Sequence, residues 1–189
     1  MGDLTRSPGF YVDVGAHSPR RGNNTYWLYR RGWRGILIDI EDEKVLACKL
    51  ARPRDIAVNA AISNREGQAT VYANKSFSTT ATIIPHVEYL DRQAIARDVV
   101  RVTTLTSLLT ELSAPKTFGL LSIDTEGSDL NVLLGLDFEQ FKPIYICVEE
   151  IIKEDILEIL HSELHRYLTN EGYQLVSVAG YSLIYRLGK

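Results

Sequence analysis

The chain has 189 residues, 45% hydrophobic and 24% charged, with a formal net charge of −3. That length suits one well-filled core and is short for two domains, so a single domain over the whole chain is expected. The slight acidity argues against a nucleic-acid partner, and no apolar run reaches the roughly 18 residues that a membrane span needs. Met1-Gly2 invites a myristoylation reading, but Arg6 stands where that motif requires Ser or Thr, and no secretory leader is visible. Cys48 and Cys147 are too few and too separated for a disulfide framework, so both read as packing residues. A cytoplasmic location is the default expectation.

Apolar strand-like runs alternate with helical patterns, which predicts an α/β fold with a largely parallel sheet. The first run is residues 10–14, closed by Gly15. A helix is expected over 25–31, with Asn24 as N-cap and Gly32 as its stop. Residues 35–39 read as a buried strand ending in a carboxylate, 41–51 as a helix ended by Pro53, and 55–62 as one further strand. A turn at 63–67 leads to a short strand over 68–73. The Ser/Thr-rich start of 74–97 reads as a loop, with a helix over 87–96 as one option. Then follow a strand at 99–103, a helix near 107–112, a very apolar strand at 118–123 and a helix at 128–134. A buried strand at 144–148, a long helix over 154–170 and a hairpin from 173–178 and 182–187 complete the chain.

Acids sit at or beside four strand ends: Asp13, Asp39, Asp124 with Glu126, and Glu149 with Glu150. In an open parallel sheet these ends share one edge, where ligands bind. Capping of the following helices accounts for one or two of the acids but not for the set. After Gly15 the next glycine is Gly22, so the dinucleotide fingerprint is missing, and no phosphate-binding P-loop occurs. This disfavours a nicotinamide oxidoreductase. Asp13 beside the glycine turn would repel a pyrophosphate and suits a cationic ligand. Asp39 is placed to accept two ribose hydroxyls.

The stretches Tyr11-Val12-Asp13-Val14-Gly15-Ala16-His17-Ser18-Pro19, Asn24-Thr25-Tyr26 and Arg31-Gly32-Trp33-Arg34-Gly35-Ile36-Leu37-Ile38-Asp39 resemble the FkbM family of methyltransferases. So do Val58-Asn59-Ala60-Ala61-Ile62-Ser63 and Ser122-Ile123-Asp124-Thr125-Glu126-Gly127-Ser128-Asp129. The resemblance implies the Rossmann-like class I methyltransferase fold, a three-layer sandwich around a mostly parallel seven-stranded sheet with a C-terminal antiparallel hairpin. It implies S-adenosylmethionine as cofactor, and methyl transfer to a hydroxyl of a sugar, glycan or small natural product. Asp13, Gly15 and Ala16 then match the loop for the methionine part, Asp39 the ribose acid, and Ala61, Ile62 and Ser63 the turn beside adenine. Asp124 and Glu126 match the acidic motif beside the transferring methyl. A non-catalytic cofactor-binding relative is the alternative.

An alcohol is a feeble nucleophile, so a base or a metal is expected. Candidate bases are His17, His86, Asp124, Glu126 and Glu149; His17 is equally readable as a brace for its loop. Glu126 could instead support the following helix or bind the methionine amine. A second option gathers Asp124, Glu149 and Glu150 round a divalent cation such as magnesium. His161 and His165 show no zinc spacing and read as an exposed helix face. Tyr26, Trp27, Trp33, Tyr72, Phe77 and Tyr89 are candidate stacking rings, with core packing the ordinary alternative.

Overall fold

The computed structural model describes residues 9–73, 81–83, 95–150 and 157–188. In chain order the elements are β1 Phe10–Val14, α1 Tyr26–Arg30, β2 Arg34–Asp39, α2 Asp42–Ala51, β3 Ile56–Asn59, β4 Ala61–Ile62, β5 Gly67–Ala73 and β6 Ile95–Thr103. They continue with α3 Leu105–Glu111, β7 Thr117–Ile123, α4 Asp129–Leu134, β8 Lys142–Glu149, α5 Glu158–His161, α6 Glu163–Asn170, β9 Tyr173–Ala179 and β10 Ser182–Leu187. A 7-stranded sheet has the order β3-β2-β1-β7-β8-β10-β9, and a 3-stranded sheet the order β4-β6-β5. The five strands from β3 to β8 run parallel, whereas β10 pairs antiparallel with both β8 and β9. This is the sheet and hairpin the sequence predicts.

Burial on both faces explains why these strands read as continuous apolar runs. Successive side chains alternate between two cores. Val12, Ile36, Ile38 and Leu121 pack with Leu105, Leu109, Val132, Leu133 and Leu168 on the side of α3, α4 and α6. Tyr11, Leu37 and Leu120 pack with Trp33, Val45 and Cys48 on the side of α2. Three layers result, with the C-terminal ends of β1, β2 and β7 opening at one edge.

Four local expectations are corrected. The single strand over 55–62 is two: β3 stays in the large sheet, Ala60 turns with its N–H on the carbonyl of Asp39 at 3.2 Å, and β4 joins the small sheet. The strand at 99–103 starts earlier, at Ile95, because β6 has β5 as an antiparallel partner along its length. Hence Ile95 and Ala96 are strand, not the end of a helix; the rest of the helix considered over 87–96 lies outside the described residues. The long helix over 154–170 is broken at Ser162, whose extended backbone (φ −69°, ψ 150°) lets its hydroxyl cap α6 by accepting from the N–H of His165; residues 154–156 lie outside the description. Thr25, not Asn24, precedes α1, and it makes no side-chain cap bond because its hydroxyl is used elsewhere.

Candidate active site

The glycine turn after β1 folds back over the end of β2. Gly15 and Ala16 both donate their N–H groups to the carbonyl of Ile38, at 2.9 and 3.0 Å. Gly15 has φ +81°, and a Cβ there would overlap the backbone carbonyl of Asp124, so only glycine lets β1 and β7 close at this edge. No helix opens at this turn; α1 starts only at Tyr26, which removes the helix N-terminus that a pyrophosphate would use.

His17 follows with φ +45°, and its N–H donates to Asp39 Oδ2 at 2.8 Å. Asp39 Oδ1 accepts from the N–H of Glu41 at 3.0 Å. The Lys44 ammonium lies 3.7 Å from Asp39 and 2.7 Å from Glu41, all three side chains being buried. Each Asp39 oxygen therefore keeps acceptor capacity toward the cavity after its backbone bond. Asp13 is differently placed. It is buried, and its Oδ2 accepts from Asn23 Nδ2 at 2.9 Å and from the Thr25 hydroxyl at 2.8 Å. Burial raises its pKa, and the bonds from Thr25 and Asn23 oppose that rise.

At the end of β7, Asp124 donates its N–H to the carbonyl of Val14 at 2.9 Å, and the N–H of Thr125 donates to Asp129 Oδ1 at 3.1 Å. Glu126 (φ +53°) and Gly127 (φ +92°) then turn the chain into α4. Burial, with the Asp124 and Asp129 charges, pushes Glu126 up to about 7, while Lys44 pulls it down. Asp124 and Glu149 are neighbouring acids, and partial loss of solvent around them raises both. Burial and Lys44 lower the His17 pKa, against the pull of Asp39, Glu41 and Asp124, which favours the neutral imidazole; its Nδ1 is buried without a hydrogen-bond partner among the described residues.

Most of these groups line one cavity of about 200 Å³, while Thr25, Glu41, Asp129 and Glu149 stand behind its wall. Asp13, Ala16 and Asn23 are joined by hydrogen bonds in its wall, Asn24 bonds Ser122, and Asp39 pairs with Lys44; Gly15, His17, Ile40, Ala61, Ile62, Ile83, Asp124, Thr125 and Glu126 also line it. Seven of the eight predicted cofactor residues thus gather here: Asp13, Gly15, Ala16, Asp39, Ala61, Ile62 and Asp124. Ser63 does not, since it turns away to bond the carbonyl of Thr103 through its N–H at 3.0 Å.

The metal set is not assembled. Glu150 turns aside to accept from the Ser162 hydroxyl at 3.1 Å, and among the described residues no three His, Cys, Asp or Glu side chains converge to hold an ion. Tyr26, Trp27, Trp33 and Tyr72 do not line the cavity, Trp33 being buried in the core beside α2. His165 is not simply an exposed residue, since its Nδ1 lies 3.0 Å from the buried Tyr185 hydroxyl. His86, Phe77 and Tyr89 lie outside the described residues. Sequence reading missed Lys44, Asn23, Asn24 and Ser122. Only the short Asn-Asn-Thr run hinted at them, through its affinity for turns.

The strand order, the closing hairpin and a ligand cavity at the C-terminal ends of β1, β2 and β7 define a class I methyltransferase fold. A family model described as the Methyltransferase FkbM domain matches residues 13–175, and the chain belongs to that family. The solved FkbM methyltransferase from Methylobacillus flagellatus KT is similar in fold, with TM-score 0.59 and 14% identity, over 95% of this chain and 43% of that one. The chain thus spans less than half the length of that relative. An O-methyltransferase from Bacillus cereus in complex with SAH gives TM-score 0.49 and 10% identity over 95% of this chain and 74% of that one. A TehB-like SAM-dependent methyltransferase from Corynebacterium glutamicum gives TM-score 0.49 and 10% identity over 100% of this chain and 84% of that one. A search of curated proteins finds no match. Among the described residues, no helix is long and apolar enough to cross a membrane.

Proposed function

We propose that this domain binds S-adenosylmethionine in the cavity and methylates a hydroxyl of a sugar, glycan or small natural product. The observation that carries the reading is Asp39: two backbone N–H groups fix its carboxylate, and it still faces the cavity with acceptor capacity to spare. The donor set fits the cofactor. Asp39 would hold ribose hydroxyls, Ile40, Ala61, Ile62 and Ile83 offer apolar surface for adenine, and the carboxylates of Asp13, Asp124 and Glu126 suit a positively charged methionine part.

Bound there, the cofactor supplies a methyl on a positively charged sulfur. The protein holds the acceptor in line, and as the acceptor oxygen takes the methyl its proton passes to a base. We assign that role to His17, which lines the cavity and whose pKa burial and Lys44 lower toward the neutral, proton-accepting form. Asp124 and Glu126 line the cavity with it, and the Asp124 carboxylate draws positive charge toward the imidazole.

Calorimetry with S-adenosylhomocysteine tests the reading. The folded chain is expected to bind it, and Asp39→Ala to bind it at least about tenfold more weakly, equivalent to about 1.4 kcal/mol. Absence of binding by the folded chain, or full affinity in the variant, refutes it.

A further inference from the structure

Behind the Asp13 end of the cavity lies a charged network that the functional reading leaves unused. Arg52, the residue after α2, is fully buried. Its Nε donates to Asp55 Oδ2 at 2.7 Å, its Nη1 to Asn23 Oδ1 at 2.9 Å, and its Nη2 to the Tyr11 hydroxyl at 2.6 Å and the Thr25 hydroxyl at 3.0 Å. The Tyr11 hydroxyl in turn donates a hydrogen bond to Asp55 Oδ2 at 2.6 Å, while Asp55 Oδ1 accepts from the N–H of Gly35 at 2.9 Å. The guanidinium carbon also sits 5.3 Å from the Tyr11 ring centre and 5.1 Å from that of Tyr29.

The donors and acceptors give this network a direction. Guanidinium has only donors, so each group it meets must accept. Thr25 has one hydroxyl proton; with Arg52 bonded to its oxygen, that proton faces Asp13 Oδ2 at 2.8 Å and Asn23 Oδ1 at 2.9 Å, and the carboxylate is the stronger acceptor of the two. Asn23 has its Oδ1 fixed by Arg52 and by the N–H of Thr25 at 3.1 Å, so its amide NH2 must face the cavity wall. There it donates to Asp13 Oδ2 at 2.9 Å and to the carbonyl of Ala16 at 3.1 Å. Asp13, Ala16 and Asn23 all line the cavity. Arg52 touches none of it.

We infer that Arg52 is a positioning residue for the methionine half of the cofactor site, setting Asn23 and Asp13 through the planar fork of its guanidinium. The inference rests on the proposed cofactor. The Asp39 half has its own brace in the N–H of Glu41 and in Lys44, and does not depend on this relay.

The test compares S-adenosylhomocysteine with 5′-methylthioadenosine, which shares the adenosine and lacks the amino-acid part. Arg52→Lys keeps the buried charge beside Asp55 but not the fork. It is expected to lose at least about tenfold in affinity for S-adenosylhomocysteine and less than about twofold for methylthioadenosine, by calorimetry on protein whose circular dichroism matches the wild type. Thr25→Val leaves the Arg52–Asp55 pair intact and is expected to show the same selective loss; if Arg52→Lys does not fold, this variant decides. Equal losses for both ligands, or none, overturn the inference. A wild-type chain that binds neither ligand overturns the functional proposal instead.

Discussion

Glu126 sits where burial and two neighbouring carboxylates oppose its ionisation, and this makes a pH-dependent prediction about stability. Its pKa stands at about 7 in the folded chain, against an ordinary 4.5. Between those values the folded chain binds a proton that the unfolded chain has released, so stability falls as pH rises through the interval. A raised acid thus contributes its full share below about pH 4.5 and has lost it above about pH 7. The whole interval corresponds to at most about 3.4 kcal/mol, and solvent screening of a partly open side chain brings the expectation to about 1–2 kcal/mol. Glu126→Gln removes the charge at nearly constant shape. At pH 8 the ligand-free variant is expected to melt about 2–8 °C higher than the wild type, and at pH 4.5 at the same temperature. Thermal unfolding followed by circular dichroism from pH 4.5 to 8 measures both. A difference that is the same at every pH, or a variant less stable at pH 8, refutes this account of the cavity's electrostatics.

Gly15→Ala places a methyl on the Asp124 carbonyl in a backbone conformation that alanine avoids, so a loss of about 2–4 kcal/mol in stability is expected, read as a lowered urea midpoint. His17→Gln is expected to slow methyl transfer by about 10²–10⁴-fold while leaving S-adenosylhomocysteine affinity within about threefold, measured by single-turnover kinetics beside calorimetry. Unchanged turnover in that variant would return His17 to the role of loop brace.

The parts of this fold that could be read in advance are those governed by local chemistry. A strand buried on both faces has to be apolar throughout, so β1, β2, β7 and β8 announce themselves, and the acids that end them mark one edge. The run over 55–62 gave no sign of changing sheets. Its side chains look alike on both sides of Ala60, and the change depends on β6, more than thirty residues later. The break at Ser162 was hidden for a related reason: serine is tolerable within a helix, and its use as a cap depends on the backbone at that one residue. At the site, Asp39 was legible as a strand-end acid. Arg52 was not, because its partners Tyr11 and Thr25 lie 41 and 27 residues away, and a buried arginine looks like any surface arginine until those partners are known.

The division at Ala60 also bears on how such a domain can diverge. The small sheet supplies Ala61 and Ile62 to one wall of the cavity, and its strand β5 bridges to Thr82, which lines the cavity beside Ile83. The large sheet passes from β3 to β7 without using any of these strands as a partner. Repacking the β5–β6 pair would therefore reshape one side of the cavity while the ends of β1, β2 and β7 stay in register. Ala60 is the joint between a cavity wall carried by the small sheet and a frame carried by the large one.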